Sequence, residues 1–256
     1  MSLAALARVL AFAPCIWLAA FAAQAKEPDV QTALIQAVDA GDLVAVQRAL
    51  EQGADLNAAG PFQRTPLHHA AKTVNVKLIE WMLAHGANLA ARDGDGRVPL
   101  HRANSISSEV FMRHGADTLA KDRQGTAALH VAAEKDGQMC RLLINSGVPV
   151  NIRNDAGLTP LHFAVLEGKR SIVETLVALG ADVNARTASD YTYKWSYVGW
   201  DVQGHEQLVP AGSTPISLAR WKHKDTYWSS GRTFTDLAEY LRSKGAVETS
   251  WWRFWK

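Results

Sequence analysis

The sequence predicts an all-α solenoid, a row of helix–turn–helix units, with a β-hairpin insertion near the C-terminal end. Three observations carry that reading. A six-residue phrase recurs as Thr65-Pro66-Leu67-His68-His69-Ala70, Val98-Pro99-Leu100-His101-Arg102-Ala103, Ala127-Ala128-Leu129-His130-Val131-Ala132 and Thr159-Pro160-Leu161-His162-Phe163-Ala164, with an echo at Thr214-Pro215-Ile216-Ser217-Leu218-Ala219. A short amphipathic segment follows each phrase, such as Val76 to Leu83 and Ile172 to Val177. A glycine then closes the pair, at Gly53, Gly86, Gly115 and Gly180, where a left-handed residue ends a helix. The phrase reads as a helix start: Thr offers an N-cap oxygen, Pro at the first helical position loses no hydrogen bond, and Leu and Ala face the interior.

The step from Pro66 to Pro99 is 33 residues. Turn segments stand upstream of the phrases at Arg92-Asp93-Gly94-Asp95-Gly96, Lys121-Asp122-Arg123-Gln124-Gly125 and Asn154-Asp155-Ala156-Gly157. A period near 33 carrying T-P-L-H-x-A, with these turns and the Gly-Ala-Asp tails in register, resembles the ankyrin repeat over about residues 29–247. The resemblance implies a solenoid with a concave face and a row of finger-like turns, and ligands that are mostly proteins. It also implies that the recurring His bonds between neighbouring repeats.

In chain order, residues 1–25 read as a signal peptide: Arg8, an apolar run from Val9 to Phe21, and the small-residue step Ala23-Gln24-Ala25. The run is short for a span and Pro14 interrupts it, so cleavage after Ala25 is expected rather than a retained anchor. Export follows, most simply to a bacterial periplasm, with no transmembrane span in the mature chain. Residues 26–57 lack the Thr-Pro phrase and read as a capping repeat. Residues 58–184 hold the regular repeats. The second is shortened: from Pro99 to Ala128 the step is 29 residues, and the loss falls near Asn104 to Ser108, where the stack is expected to bend or weaken.

From Pro160 to Pro215 the step is 55 residues. The excess makes an aromatic-rich finger-loop insertion over 185–213. Tyr191, Tyr193, Trp195 and Tyr197 alternate, which in a strand puts all four on one side. Val202 to Val209 is the candidate return strand. Two readings stay open for the rings: anchors projecting toward a ligand, or side chains lying on the repeats. A terminal repeat follows at 214–247, then an aromatic tail, 248–256, which either caps the stack or meets a bilayer interface.

Bulk properties exclude more than they assign. A net charge of +2 over 256 residues gives no argument for nucleic acid. Of two cysteines only Cys140 follows Ala25, so no internal disulfide is available, and its place on a second-helix pattern marks a buried thiol. The His residues at 68, 101, 130 and 162 are spaced one per unit, which suits architecture and not metal ligation. His85 and His114 precede helix-ending glycines, whereas His205 and His223 have no Cys or His partner nearby. No phosphate loop, nucleophile elbow or paired-Cys site occurs, so neither catalytic residues nor cofactor nor metal is expected.

A non-catalytic protein-binding scaffold is therefore the expected function. By the resemblance, the finger tips correspond to Phe62, Arg92, Asp93, Lys121, Arg123, Arg153 and Asn154, and the groove to His69, Lys72, Arg102, Glu134 and Glu167. Tyr191, Tyr193, Trp195, Tyr197 and Trp200 complete the partner-binding set. Two other ligand classes were open: a cell-wall glycan such as peptidoglycan stacked on the insertion, and an exported protein that this chain blocks or stabilises.

Overall fold

The computed structural model describes residues 29–194, 206–224 and 231–247. The expected signal peptide, Trp195, Tyr197, Trp200, His205 and the tail from 248 lie outside the described residues. The capping pair is α1 (Val30–Ala40) and α2 (Leu43–Glu51). The first repeat holds α3 (Pro66–Ala70) and α4 (Val76–Ala84). In the second, the first helix is reduced to a 3-10 turn, Pro99–Arg102, before α5 (Ser105–Arg113). Then come α6 (Ala128–Lys135) with α7 (Gly137–Asn145), and α8 (Pro160–Leu166) with α9 (Arg170–Ala178). The strands β1 (Tyr191–Lys194) and β2 (Glu206–Val209) pair antiparallel, Tyr191 opposite Val209, and α10 (Pro215–Lys224) with α11 (Gly231–Ser243) ends the described stack.

One hydrophobic layer runs the length of the stack. The phrase supplies Leu67, Leu100, Leu129, Leu161 and Ile216, and the second helices supply Ile79, Phe111, Leu143, Leu176 and Leu241, all buried. The small Ala70, Ala103, Ala132, Ala164 and Ala219 are buried between them, so that neighbouring first helices approach closely.

The capping chemistry differs from the expectation. No Thr oxygen in the phrase accepts a backbone N–H of its own helix; the imidazole does the capping. The backbone N–H groups of Thr65, Val98, Ala127 and Thr159 donate to Nδ1 of His68, His101, His130 and His162 at 3.1–3.2 Å. Val98 and Ala127 have no hydroxyl, and the bond is unchanged there. Because Nδ1 accepts, the hydrogen sits on Nε2, which faces a carbonyl of the next unit: Arg97 O, Thr126 O, Leu158 O and Ser213 O at 2.9–3.3 Å. Each His thus ties two units. In the last phrase Ser217 Oγ accepts the Thr214 N–H at 2.8 Å, which makes only the half within the unit.

Second-helix caps add a further tie. Asn75, Asn104 and Asp136 cap α4, α5 and α7 through their side-chain oxygens. Asn75 Nδ2 also donates to Gly41 O, Asn104 Nδ2 to Thr73 O, and Asp136 accepts from Ser105 N, each in the unit before. A clamp closes the outer edge: Asn57 donates to Gly86 O and accepts from Asn88 N, and Asn151 and Asn184 repeat this on Gly180 with Asp182 and on Gly245 with Val247. Ala90 and Leu119 stand at the clamp position around the shortened repeat, so both of its edges lack it.

Candidate functional site

The concave side is lined by finger turns and first helices. Successive fingers bond edge to edge through their backbones: Gly94 N–H to Phe62 O at 2.8 Å, Arg123 N–H to Asp95 O at 3.1 Å, Asp155 N–H to Gln124 O at 3.1 Å and Ala188 N–H to Ala156 O at 2.8 Å. The approach is so close that a Cβ on Gly157, at φ +78°, would stand 2.6 Å from Ala188 N.

Several expected contact residues are spent on building these fingers. Asp93 and Asn154 are buried, at 2% and 5% exposure, and correct the expectation of finger tips. Asp93 Oδ1 accepts from Asp95 N and Arg97 N, and Asn154 Oδ1 from Leu158 N, which satisfies the tight turns from inside. Arg92 Nη1 bridges Gly96 O and Lys121 O at 2.6 and 2.7 Å. Lys121 Nζ donates to Arg153 O at 3.0 Å, and Arg153 Nη1 bridges Gly157 O and Arg186 O at 3.0 and 2.7 Å. These three side chains form a ladder along the finger edge. Phe62 and Arg123 are the tips left outward, with Phe62 74% exposed.

The groove floor divides by charge. At its N-terminal end His69 Nδ1 lies 3.0 Å from Asp39, Lys72 is exposed, and Arg102 grips Asp93 through Nε and Nη2 at 3.0 and 2.7 Å. Asp93, although desolvation pushes its carboxyl up, is held below its usual value by these bonds. Arg64 and Arg97, which no motif singled out, join this end; each precedes a Thr-Pro or Val-Pro step, a recurrence the sequence offered. Arg97 Nε pairs with the buried Asp122 at 3.1 Å.

At the other end, β1 lies against the repeats. Tyr191 and Tyr193 are on one side, as their alternation predicts, and that side faces inward: both rings meet Phe163 of α8, at centroid distances of 6.3 and 5.7 Å. Tyr191 donates to Gln124 Oε1 at 3.1 Å. Tyr193 is 3% exposed, and its hydroxyl lies 2.7 Å from Glu167 Oε1 and 3.1 Å from Glu134 Oε1, carboxylates from consecutive repeats. One phenol hydrogen cannot serve two carboxylates, so the second must carry a proton. Burial, then the charge of Glu167, pushes Glu134 up to about 7. Burial and the same two carboxylates hold the phenol far above its usual range. Two rings turned inward offer no flat platform for sugars, so the glycan reading loses half of its four aromatics; Trp195 and Trp200 lie outside the described residues.

The remaining titratable groups are architectural in placement. Burial lowers all four phrase histidines, His130 and His162 to about 4. His85 stacks on Trp81 at 3.8 Å, and His114 pairs with Glu80. Burial pushes the Cys140 thiol up to about 12, which leaves it unreactive. Among the described residues no three His, Cys, Asp or Glu converge as metal ligands, and no helix is long and apolar enough to cross a membrane.

The family model of ankyrin repeats in three copies matches residues 15–93, 34–122 and 100–187, about two thirds of the chain. The chain belongs to the ankyrin-repeat family. Ankyrin repeats are generally scaffolds for protein–protein interaction and typically non-catalytic, which makes the groove and the finger edge the surfaces to weigh. In this ankyrin protein the C-terminal half of the groove is covered by β1, whereas the half at Lys72 and Arg102 is open to solvent.

Proposed function

We propose that this chain is an exported, non-catalytic ankyrin scaffold that holds an extended segment of a protein partner in the open, N-terminal half of its groove. The observation that carries the reading is the seating of β1. Its extended backbone crosses the first helices, and one aromatic side chain is bonded by carboxylates of two consecutive repeats. A groove that takes a strand at one end has the width and the polar lining to take one at the other. Tyr191 and Tyr193 serve the scaffold by closing half of the groove and so setting where the partner starts. The charged n-region, apolar run and Ala23-Gln24-Ala25 step support export to the periplasm.

The test is site-directed photo-cross-linking in periplasmic extract of the source bacterium. A benzophenone side chain at the exposed Gln63 or Arg123 should capture one protein of defined mass, whereas the same probe at Lys77 or Glu109 on the second-helix face should capture none. Equal capture from both faces would overturn the reading.

A further inference from the structure

Three places in the fold remain after the groove and its lining are described: an open recess between α7 and α9 at Arg141 and Thr175, the phenol seated between Glu134 and Glu167, and a cluster of cations around an exposed ring at the first finger. The recess is shallow and has no convergent polar groups, and the phenol belongs to the insertion's own docking. The cation cluster has unspent chemistry.

Phe62 is exposed at a finger tip with φ +58°, and Gln63 beside it has φ +56°. Two consecutive non-glycine residues in the left-handed region each carry a steric penalty, and such strain gathers at ligand-contact positions. The conformation is pinned by Gly94 N–H on Phe62 O, and it turns the ring outward. Arg64 lies over that ring, its guanidinium carbon 4.9 Å from the centroid. Asp93 already bonds both Arg102 nitrogens, so Arg64 Nε stands 3.9 Å away, beyond a hydrogen bond, and is buried without a partner. His69 Nε2 is likewise buried and unpartnered. Lys72 joins no ion pair among the described residues. Burial lowers it first, then Arg102, Arg64 and Lys135 repel it, and Arg64 is lowered by burial and then by Arg102. Arg97 and Arg102 are matched by Asp122 and Asp93, which leaves Arg64 and Lys72 uncompensated on the open groove.

A guanidinium braced on an aromatic face with its N–H edge free is the geometry that grips a carboxylate by two bonds. We propose that the N-terminal end of the groove, at Phe62, Arg64, His69, Lys72 and Arg102, binds an extended acidic segment of a protein partner. One carboxylate sits on the Arg64 fork beside His69 Nε2, a second lies near Lys72, and an apolar side chain of the segment rests on Phe62. This rests on reading the groove as the partner-binding face. A protein segment fits better than an anionic membrane because the cations are half-buried in a concavity that a flat lipid surface does not enter.

The probe is a fluorescein-labelled peptide, five Glu flanking each side of a single Leu, against its Gln analogue, titrated with the full chain and followed by anisotropy. The Glu peptide should bind at least tenfold more tightly in 0.1 M salt, and the preference should shrink as salt rises. Lys72→Gln and Arg64→Gln should each weaken the Glu peptide at least fivefold and leave the Gln peptide unchanged. Lys72 is exposed, so K72Q keeps the test readable if R64Q disturbs the finger. Phe62→Ala should weaken both peptides. Equal binding of the two peptides, or no effect of K72Q and R64Q, overturns the proposal. Binding to phosphatidylglycerol vesicles without peptide binding overturns it in favour of a lipid surface. If cross-links from Gln63 and Arg123 persist while the acidic preference is absent, the scaffold reading stands and this one fails. Loss of the cross-links themselves would sink the scaffold reading.

Discussion

Tyr193→Phe removes one oxygen from a site where that oxygen meets two carboxylates. The ring still packs on Phe163, so the change isolates the hydroxyl. A buried bond to a charged acceptor contributes about 1.5–3 kcal/mol, so β1 should lose about 2 kcal/mol of docking, near thirtyfold in its opening equilibrium. The loss should depend on pH. Glu134 moves from an ordinary 4.5 to about 7 when β1 is docked, a raised value. The docked state therefore binds more protons between those limits. Docking is at full strength below 4.5 and weakens as pH rises through 7, by up to about 3 kcal/mol in all. Lys135 and Arg97 oppose this and Glu167 drives it, so Glu167→Gln should flatten the pH dependence with the phenol intact. The assay is amide hydrogen exchange of residues 191–194 and 206–209 at pH 6.5 and 8.5, corrected for intrinsic rates. That range lies above the titration of the phrase histidines. Protection that survives Tyr193→Phe, or that rises from pH 6.5 to 8.5, would refute the argument.

Acid should unfold the stack through His130 and His162. Their folded values, about 4, lie below the ordinary 6.5, so the unfolded chain takes up protons first. The stability is present above 6.5 and lost as pH falls toward 4, roughly 3 kcal/mol for each, and thermal melts across that range should show it. Ala90→Asn should complete the missing clamp on Gly115 O and Asp117 N and stabilise by about 1 kcal/mol, a rise of a few degrees in Tm. Leu119→Asn should not, because the matching donor position is Pro149, which has no N–H; equal gains from the two would discard the clamp account.

Much of the fold was written in repetition. The phrase, the helix-ending glycines and the 33-residue step place every helix pair, because each unit must bury the same face against the next. What repetition could not show was the direction of a polar side chain. Asp93 and Asn154 sit at the centre of finger turns, where position alone suggests a tip. Their short side chains turn inward because the turn's own N–H groups have no other acceptor. Alternation put Tyr191 and Tyr193 on one side of a strand but could not say which side faced the stack. That was decided by Phe163, Glu134 and Glu167, three residues on two other repeats. The Thr of the phrase read as a cap from general propensity, yet Val98 and Ala127 replace it at no loss of the bond. The substitutions in the repeat itself held the clue that His was the capping residue.

The two ends of the groove are linked by their charges. The acidic end, at Glu134 and Glu167, would repel the acidic segment that the basic end attracts, and Tyr193 stands over both carboxylates. Covering them does two things at once: it lets Glu134 keep a proton, and it removes from the groove the only two glutamates that its first helices present among the described residues. An acidic segment laid from Phe62 toward the insertion then meets Arg64, Lys72 and Arg102 and stops where β1 begins. On this argument the insertion sets the register and length of the bound segment without touching its charged residues. Releasing β1 should therefore weaken an acidic ligand by restoring repulsion, although it widens the groove. Tyr193→Phe binding the Glu peptide more tightly than the parent chain would show that β1 competes for the groove instead of screening it.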